Sequence, residues 1–426
     1  MEEEQTAPPH VIVLCTDRRR LPARILEDAR SVRVSVIVDE GHSHTFGPDV
    51  TVHHVPTVRD PDAVLRTVLS IAVKDPVDRI VSPVEHSVRT AGYVRSTLGM
   101  DGDGYDISLA FTNKYVMKKR LSAAGLPTAE FQQVLSFDDI PAAAEKTGWP
   151  CVVKPVFGGG CIGVTVLESP EHYAEIGASE LGAELREDDM PLIVERFVEM
   201  ENEFHCDAVV RDGEVVFAAP SRYFAPILGQ TDTFSGSYLL PAGHEDFDTI
   251  TGLNRQVVRA LGLRDGVTHL ELFKTADGFT IGEIAGRPGG GGIVEAVRRH
   301  CGVDLWQAFW ACSLGETPEL DPRCPDRILA TVMLPTRPGR ITRLSTVEEL
   351  SGCAGVVSAA MSMRVGDVIP RELTSATSTG LVFFSATDEA EVQERLSELA
   401  GSYTLEVEPG VEPGVEPEVE SDGASA

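Results

Sequence analysis

The chain has 426 residues, enough for two or three domains with substantial cores. Its composition, 42% hydrophobic and 24% charged, is that of a globular protein, and no apolar run approaches the roughly 18 residues a membrane span needs. A net charge of −29 argues against nucleic acid or anionic membranes as partners, and eight cysteines without C-x-x-C pairs suggest neither a zinc site nor a disulfide framework.

The acidic start MEEEQTAPPH has no signal-peptide apolar region, so a cytoplasmic protein with reduced cysteines is expected. His10–Thr16 (HVIVLCT) is a near-continuous apolar run, as in a buried parallel strand. Val32–Asp39, Asp49–Val55 and Arg79–Ser82 read as further strands. Asp60–Val73 carries helical spacing through Val64, Leu65, Val68, Leu69 and Ala72. This alternation predicts a small parallel α/β domain over roughly 1–110. CTDRRRLP follows the first strand where a dinucleotide site would show G-x-G-x-x-G. Glu85, just past the fourth strand, stands at the sheet edge where ligands gather. It reads equally well as the first residue of a helix.

Phe111–Gly125 (FTNKYVMKKRLSAAG) predicts an amphipathic helix capped by Asn113 and ended by Gly125 and Pro127. Lys114 falls in the first turn, where a cation opposes the helix dipole. Lys118, Lys119 and Arg120 are expected in solvent. In Pro150–Val166 (PCVVKPVFGGGCIGVTV) a strand ends at Lys154–Pro155. The run Gly158, Gly159, Gly160, Cys161, Ile162, Gly163 then leads into a second strand. No Gly-Lys-Ser/Thr precedes a helix, so this is not a Walker loop. It reads as a hairpin whose amides can lie over phosphates; the alternative is a flexible turn with a snorkelling lysine. Leu192–Glu203 (LIVERFVEMENE) is a strand followed by an irregular connection through Glu195, Phe197 and Val198. Glu203 opens a hairpin about Asp212–Gly213. Arg222–Ser237 is polar and rich in Gly, Ser and Thr, a candidate lid. Asp248–Gly262 reads as a helix.

Gly266–Gly292 (GVTHLELFKTADGFTIGEIAGRPGGGG) holds two short strands about a Thr-Ala-Asp-Gly turn, each with one acid in apolar company: Glu271 and Glu283. A two-residue Asp277–Gly278 loop would put them on opposite faces. A three-residue loop, Ala276–Asp277–Gly278, sets them directly across from each other. Like charges so placed destabilise a sheet, and a divalent cation between them reverses the sign. Oxygen-only ligands suit Mg²⁺. The other reading is a solvent-facing hairpin with two unrelated acids. Arg287, Pro288 and Gly289–Gly292 follow, and an arginine beside a carboxylate pair suits an anionic substrate. Ile293–Cys301 and Asp304–Leu314 read as helices. The segment from Pro318 to Tyr403 reads as short strands with one helix, Asp388–Ala400. Glu406–Asp422 has seven acids, no base and a Val-Glu-Pro-Gly repeat too poor in apolar area to order itself.

In this order, Lys114, Lys154 with GGGCIG, Glu195-x-Phe197-Val198, Glu203, and Glu271 and Glu283 with Arg287 resemble the ATP-grasp enzymes. Within them the resemblance is to the carboxylate–amine ligases, including the L-amino-acid ligases. It implies an α/β fold with an N-terminal pre-ATP-grasp domain over 1–110 and a two-lobed ATP-grasp domain over 111–312. The small lobe would span about 115–194 and the large lobe about 195–312. A C-terminal α+β subdomain over 313–405 and a disordered acidic tail over 406–426 would follow. Position by position, the resemblance puts Lys114 and Lys154 on ATP phosphates, with Gly158 to Gly163 closing over them. Glu195, Phe197 and Val198 would read adenine through backbone and side chain, and Glu203 the ribose. Glu271 and Glu283 would hold Mg²⁺, with Mn²⁺ as an alternative. Arg287, catalytic with Lys154, would stabilise an acyl phosphate or grip a substrate carboxylate. The implied reaction joins a small-molecule carboxylate to an amine at the expense of ATP, and the resemblance admits a homodimer.

The sequence departs from the family at Ala285, where Asn is frequent, and in the connection Met200–Asn202, which is one residue longer and lacks the usual Gly. An ATP-grasp carboxylase or purine-pathway enzyme, and a nucleotide-binding protein without turnover, are the rival readings. His205, His269 and His300 lie near the motifs and could act as a base for the amine; a lone histidine is more often structural, and they are left out of the catalytic set.

Overall fold

The computed structural model describes residues 8–15, 31–41, 46, 50–187, 190–228, 233–323, 325–371, 373 and 377–410. Strands β1 (His10–Cys15), β2 (Arg33–Asp39), β3 (Thr51–Val55) and β4 (Arg79–Val81) form a parallel sheet in the order β3-β2-β1-β4. β1 is buried throughout because both its faces are covered. Helices Pro61–Ala72 and Glu85–Leu98 pack on one face, the first capped by the Asp60 carboxylate. On the other face lie helices Ile293–Cys301 and Leu305–Leu314, sharing a core with Val11, Val13 and Val36. Their far side meets the largest sheet. This sandwich carries the C-terminal end of β4, and so Glu85, up against the segment after Glu283. The stretch CTDRRRLP lies outside the described residues apart from Cys15.

The helix Lys114–Ala123 starts where its cap predicts, with Asn113 Oδ1 accepting from the Val116 amide at 3.0 Å. Strands β5 (Phe131–Val134), β6 (Cys151–Pro155), β7 (Thr165–Leu167) and β8 (Leu192–Arg196) form an antiparallel sheet in the order β5-β8-β6-β7. β6 and β7 flank the glycine run.

The largest sheet begins with β9 (Asn202–Arg211), β10 (Glu214–Tyr223), β11 (Ser235–Leu239), β12 (Gly266–Thr275) and β13 (Gly278–Ala285). The later strands are β14 (Ile328–Met333), β15 (Gly339–Leu344), β16 (Val356–Met361), β17 (Val368–Ile369), β18 (Gly380–Ala386) and β19 (Leu405–Glu408). The eight-stranded order is β13-β12-β9-β10-β11-β14-β18-β16, so strands β14, β18 and β16 of the C-terminal segment extend the sheet begun by β9–β13. β14 thereby covers the ladder edge that β11 would otherwise expose. The helix Phe247–Leu261 covers one face with Ile250, Val257 and Leu261 against Cys206, Leu270 and Ile284.

Two expected boundaries shift. Glu406–Glu408, assigned to a disordered tail, belong to β19 and pair with β15, with Leu405 and Val407 the more covered positions. Residues 411–426 lie outside the described ones. Arg222–Tyr223 and Ser235–Ser237, expected in a polar loop, are ends of β10 and β11, and 229–232 lie outside the described residues. Among the described residues no helix is long and apolar enough to cross a membrane.

Candidate active site

Glu271 and Glu283 face each other across β12 and β13. The route to that register differs from the expectation. The loop is Ala276–Asp277, closed by the Thr275–Gly278 pair, and the extra residue sits further along as a bulge at Gly282. A Cβ at Gly282 would fall 2.8 Å from Phe273 Cζ and 3.3 Å from the Glu271 carbonyl oxygen, so a larger residue there would have to displace the Phe273 ring. Lys114 Nζ lies 3.1 Å from Glu283 Oε1 and also donates to the Gly158 carbonyl. Its unfavourable place at a helix N-terminus is offset by this carboxylate.

Lys154 ends β6 with its Nζ 3.0 Å from Glu195 Oε1. Burial works against its charge, yet Glu195 and Glu283 hold its pKa above the ordinary lysine value. Glu195 is itself buried, and its other oxygen lies 3.1 Å from Lys118 Nζ. Lys118, expected in solvent, is 1% exposed. The signal was present in the helix: Lys114, Met117, Lys118 and Leu121 make up its buried stripe at i, i+3, i+4 and i+7. A lysine on that stripe is inside; burial lowers its pKa from the ordinary lysine value, Glu195 opposes that shift, and Glu195 and two carbonyls receive the ammonium.

The adenine reading changes in consequence. The Glu195 carboxylate is turned onto the two lysines, and the Phe197 amide donates to the Pro150 carbonyl at 3.0 Å. Any adenine contact from this segment falls to other backbone groups of Glu195–Val198. Glu203 is buried and accepts from the Ile227 amide at 2.8 Å; burial, aided by Glu271, pushes its carboxyl up to about 8.

The glycine run is a left-handed stretch, with φ of +117° at Gly158, +68° at Gly160, +60° at Cys161 and +71° at Gly163. Cys161 is the side chain held in a conformation that glycine adopts freely, and it and Ile162 are exposed. The run lies over a further pair. A Cβ at Gly159 would be 3.9 Å from both Arg287 Nη2 and Glu85 Cγ. Arg287 Nε donates to Glu85 Oε2 at 2.9 Å, and burial raises the Glu85 carboxyl despite that arginine. Glu85 opens the helix Glu85–Leu98, as one of its two readings expected, and its carboxylate also pairs with Arg287, four residues beyond Glu283. In the same helix, the Arg89 guanidinium stacks 4.6 Å from the Phe157 ring centre.

Behind Glu271 lies a buried polar relay that the sequence reading passed over. Glu203, His205 and Asp207 alternate with Phe204 and Cys206 along β9, so the acids and the histidine share one face. Asp207 is 0% exposed and bonds His205 Nδ1 at 2.7 Å and His269 Nδ1 at 3.1 Å. His205 Nε2 continues to Ser237 Oγ at 2.8 Å, and His269 Nε2 lies 3.6 Å from Glu271 Oε1. Burial disfavours a charge on His269, but Asp207 and Glu271 outweigh it and raise its pKa to about 10. His269 stands directly across from Ala285. Ala285, where the resemblance leads one to expect Asn, is thus a small residue beside the His269 ring of the next strand. The signal for Asp207 was the Glu-x-His-x-Asp alternation. His300 is not among the residues these contacts join.

A family model described as the ATP-grasp domain matches residues 119–300, and one described as the L-amino acid ligase C-terminal domain 2 matches 332–408. An L-arginine-specific L-amino acid ligase of Bacillus subtilis is 33% identical over 378 residues, covering 88% of this chain and 91% of that one. The chain belongs to the L-amino acid ligases of the ATP-grasp superfamily. Dapdiamide A synthase of Enterobacter agglomerans is 24% identical, with 79% of this chain and 82% of that one covered. The crystal structure of an L-amino acid ligase from Bacillus licheniformis shares the fold, with a TM-score of 0.75 at 19% identity over 95% of this chain and 100% of that one. As such a ligase, the protein uses ATP to form carbon–nitrogen amide bonds and releases ADP. A formate-dependent phosphoribosylglycinamide formyltransferase of Azotobacter vinelandii is 30% identical over 42% of this chain and 45% of that one, but the C-terminal match, to a domain of the L-amino acid ligases, makes the ligase reading the better fit.

Proposed function

We propose that this ligase activates the carboxylate of an amino acid as an acyl phosphate and transfers it to an amine. The observation that carries the reading is the placement of Glu271 opposite Glu283, with Lys114 and Lys154 on one side and the Arg287–Glu85 pair beneath the glycine run. The carboxylate pair fits Mg²⁺: its donors are oxygens, Lys114 and His269 oppose its charge but His269 is shared with the Asp207 carboxylate, so a net negative charge remains, and phosphates and water can complete the shell. Bound there, Mg²⁺ supplies charge neutralisation at the transferring phosphoryl group.

The chain's own residues do the rest by position and charge. Lys114 and Lys154 approach the phosphates, and the amides of Gly158–Gly163 cover them. Glu203 meets the ribose. Arg287 holds the substrate carboxylate, and Glu85 beside it receives the α-ammonium, so one zwitterion satisfies both members of the pair. A carboxylate oxygen then bonds to the γ-phosphorus as the bond to ADP breaks. The amine attacks the acyl carbon and phosphate leaves. Closure of the glycine run excludes water, whose attack on the acyl phosphate would waste it. ATP supply and, among the described residues, cysteines outside disulfides fit a cytoplasmic place, and sedimentation tests the homodimer.

The deciding experiment is phosphate release from ATP and Mg²⁺ across single and paired amino acids, with bicarbonate included. Release requiring one carboxylate and one amine is expected and names both substrates. Release with bicarbonate alone, or with no acceptor in any pairing, would overturn the reading.

A further inference from the structure

Lys118 is among the largest fully buried side chains of the protein, and nothing in the reaction above uses it. Its three N–H donors are all engaged: Glu195 Oε2 at 3.1 Å, the Gly282 carbonyl at 3.0 Å and the Ile281 carbonyl at 3.4 Å. Successive carbonyls of a regular strand point to opposite sides. Two in a row reach Lys118 because the bulge at Gly282 interrupts the ladder. The bulge is not needed to oppose the two acids. With the loop Ala276–Asp277, a strand lacking Gly282 would still set Glu283 across from Glu271. What the extra residue adds is a seat for this ammonium, directly beside a metal-site carboxylate.

Glu195 thus has two counter-charges of different kinds. Lys118 is tied to the backbone of β13. Lys154 is held, among the described residues, by an ion pair to Glu195 and is 14% exposed. If Lys154 were the sole partner of Glu195, moving it to a phosphate would strand a buried carboxylate, which is strongly unfavourable. We propose that Lys118 is a positioning residue, the permanent counter-charge of Glu195 that leaves Lys154 free to pass to the phosphates of the bound nucleotide. The proposal rests on Lys154 as a phosphate ligand.

The test is a double-mutant cycle on MgADP affinity, measured by calorimetry with the full chain. Lys118→Met leaves Lys154 as the only counter-charge of Glu195 among the described residues, and the dissociation constant should rise about tenfold or more. In Lys118→Met/Glu195→Gln no carboxylate detains Lys154, and affinity should return to within about threefold of Glu195→Gln alone. A merely structural role for Lys118 predicts no such rescue. Wild-type affinity in Lys118→Met, or a double variant that keeps the full loss, overturns the proposal. Lys154→Met separates the two readings: unchanged MgADP affinity there would overturn the phosphate assignment itself. If Lys118→Met does not fold, the double variant against Glu195→Gln still decides. Equal affinity supports a role through the Glu195 charge, whereas a tenfold loss, or failure of the double variant to fold, overturns it.

Discussion

Asp207→Asn tests whether the relay behind Glu271 is held by charge or only by hydrogen bonds. Asparagine is isosteric. Its amide oxygen can accept from His269 Nδ1, and its NH₂ can donate to His205 Nδ1 once that ring shifts its proton to Nε2, where Ser237 Oγ accepts it. The hydrogen bonds survive and the charge does not. His269 titrates at about 10 in the folded protein, against an ordinary histidine value of 6.5. A pKa raised by folding stabilises fully below the unfolded value, and the gain is lost as pH rises through the folded value. At 1.36 kcal/mol per pKa unit, the contribution is about 4 kcal/mol at pH 7 and falls to about 1 kcal/mol at pH 9. Asp207 is depressed by the same histidines; its gain is lost only in acid and describes the same interaction, so the two are not added. Glu271 supplies part of the His269 shift and survives the substitution, which makes these figures ceilings. They agree in size with the roughly 3–5 kcal/mol that removal of one partner costs a buried pair. The assay is the melting temperature of ligand-free wild type and variant at pH 6.5, 7.5 and 9. The variant should melt several degrees lower near neutrality, and at least half of that gap should close by pH 9. A gap of equal size at every pH would mean that geometry, not charge, holds the relay.

Glu283→Gln should leave a folded protein that has lost most of its Mg²⁺-dependent phosphate release; unchanged turnover would remove Glu283 from the metal site. Lys154→Met should raise the KM for ATP while the melting temperature stays within a few degrees, because Lys118 still neutralises Glu195; a large loss of stability would make Lys154 structural. Glu203 has a folded pKa near 8, above the unfolded carboxylate value, so its ionisation destabilises increasingly from about pH 4.5 to pH 8. Ligand-free Glu203→Gln should therefore melt above wild type at pH 8 and with it at pH 4.5, and a constant offset would refute the shift. Removing residues 411–426 should change neither activity nor melting, whereas truncation from Glu406 deletes most of β19 and should lower the melting temperature.

What could be read from the sequence divides by range. Caps and periods are local, so the helices opening after Asp60, Asn113 and Asp304 and the strands flanking the glycine run stand where their patterns put them. The Glu271–Glu283 pairing was also legible, though for a different reason. Parity fixes which face a strand residue takes, and a two-residue loop with a bulge preserves the same parity as the longer loop. Charge placement failed because its causes are distant. Lys118 is interior on account of carbonyls 163 and 164 residues further along, and Asp207 on account of His269, 62 residues away. The Lys118 helix repeat already placed it on the apolar stripe; only the habit of sending lysines to solvent placed it elsewhere. Where periodicity and residue type conflict at a charged position, the conflict is itself informative. A charge that periodicity puts inside must have a partner, and at Lys118, Glu195 and Asp207 those partners build the walls of the site.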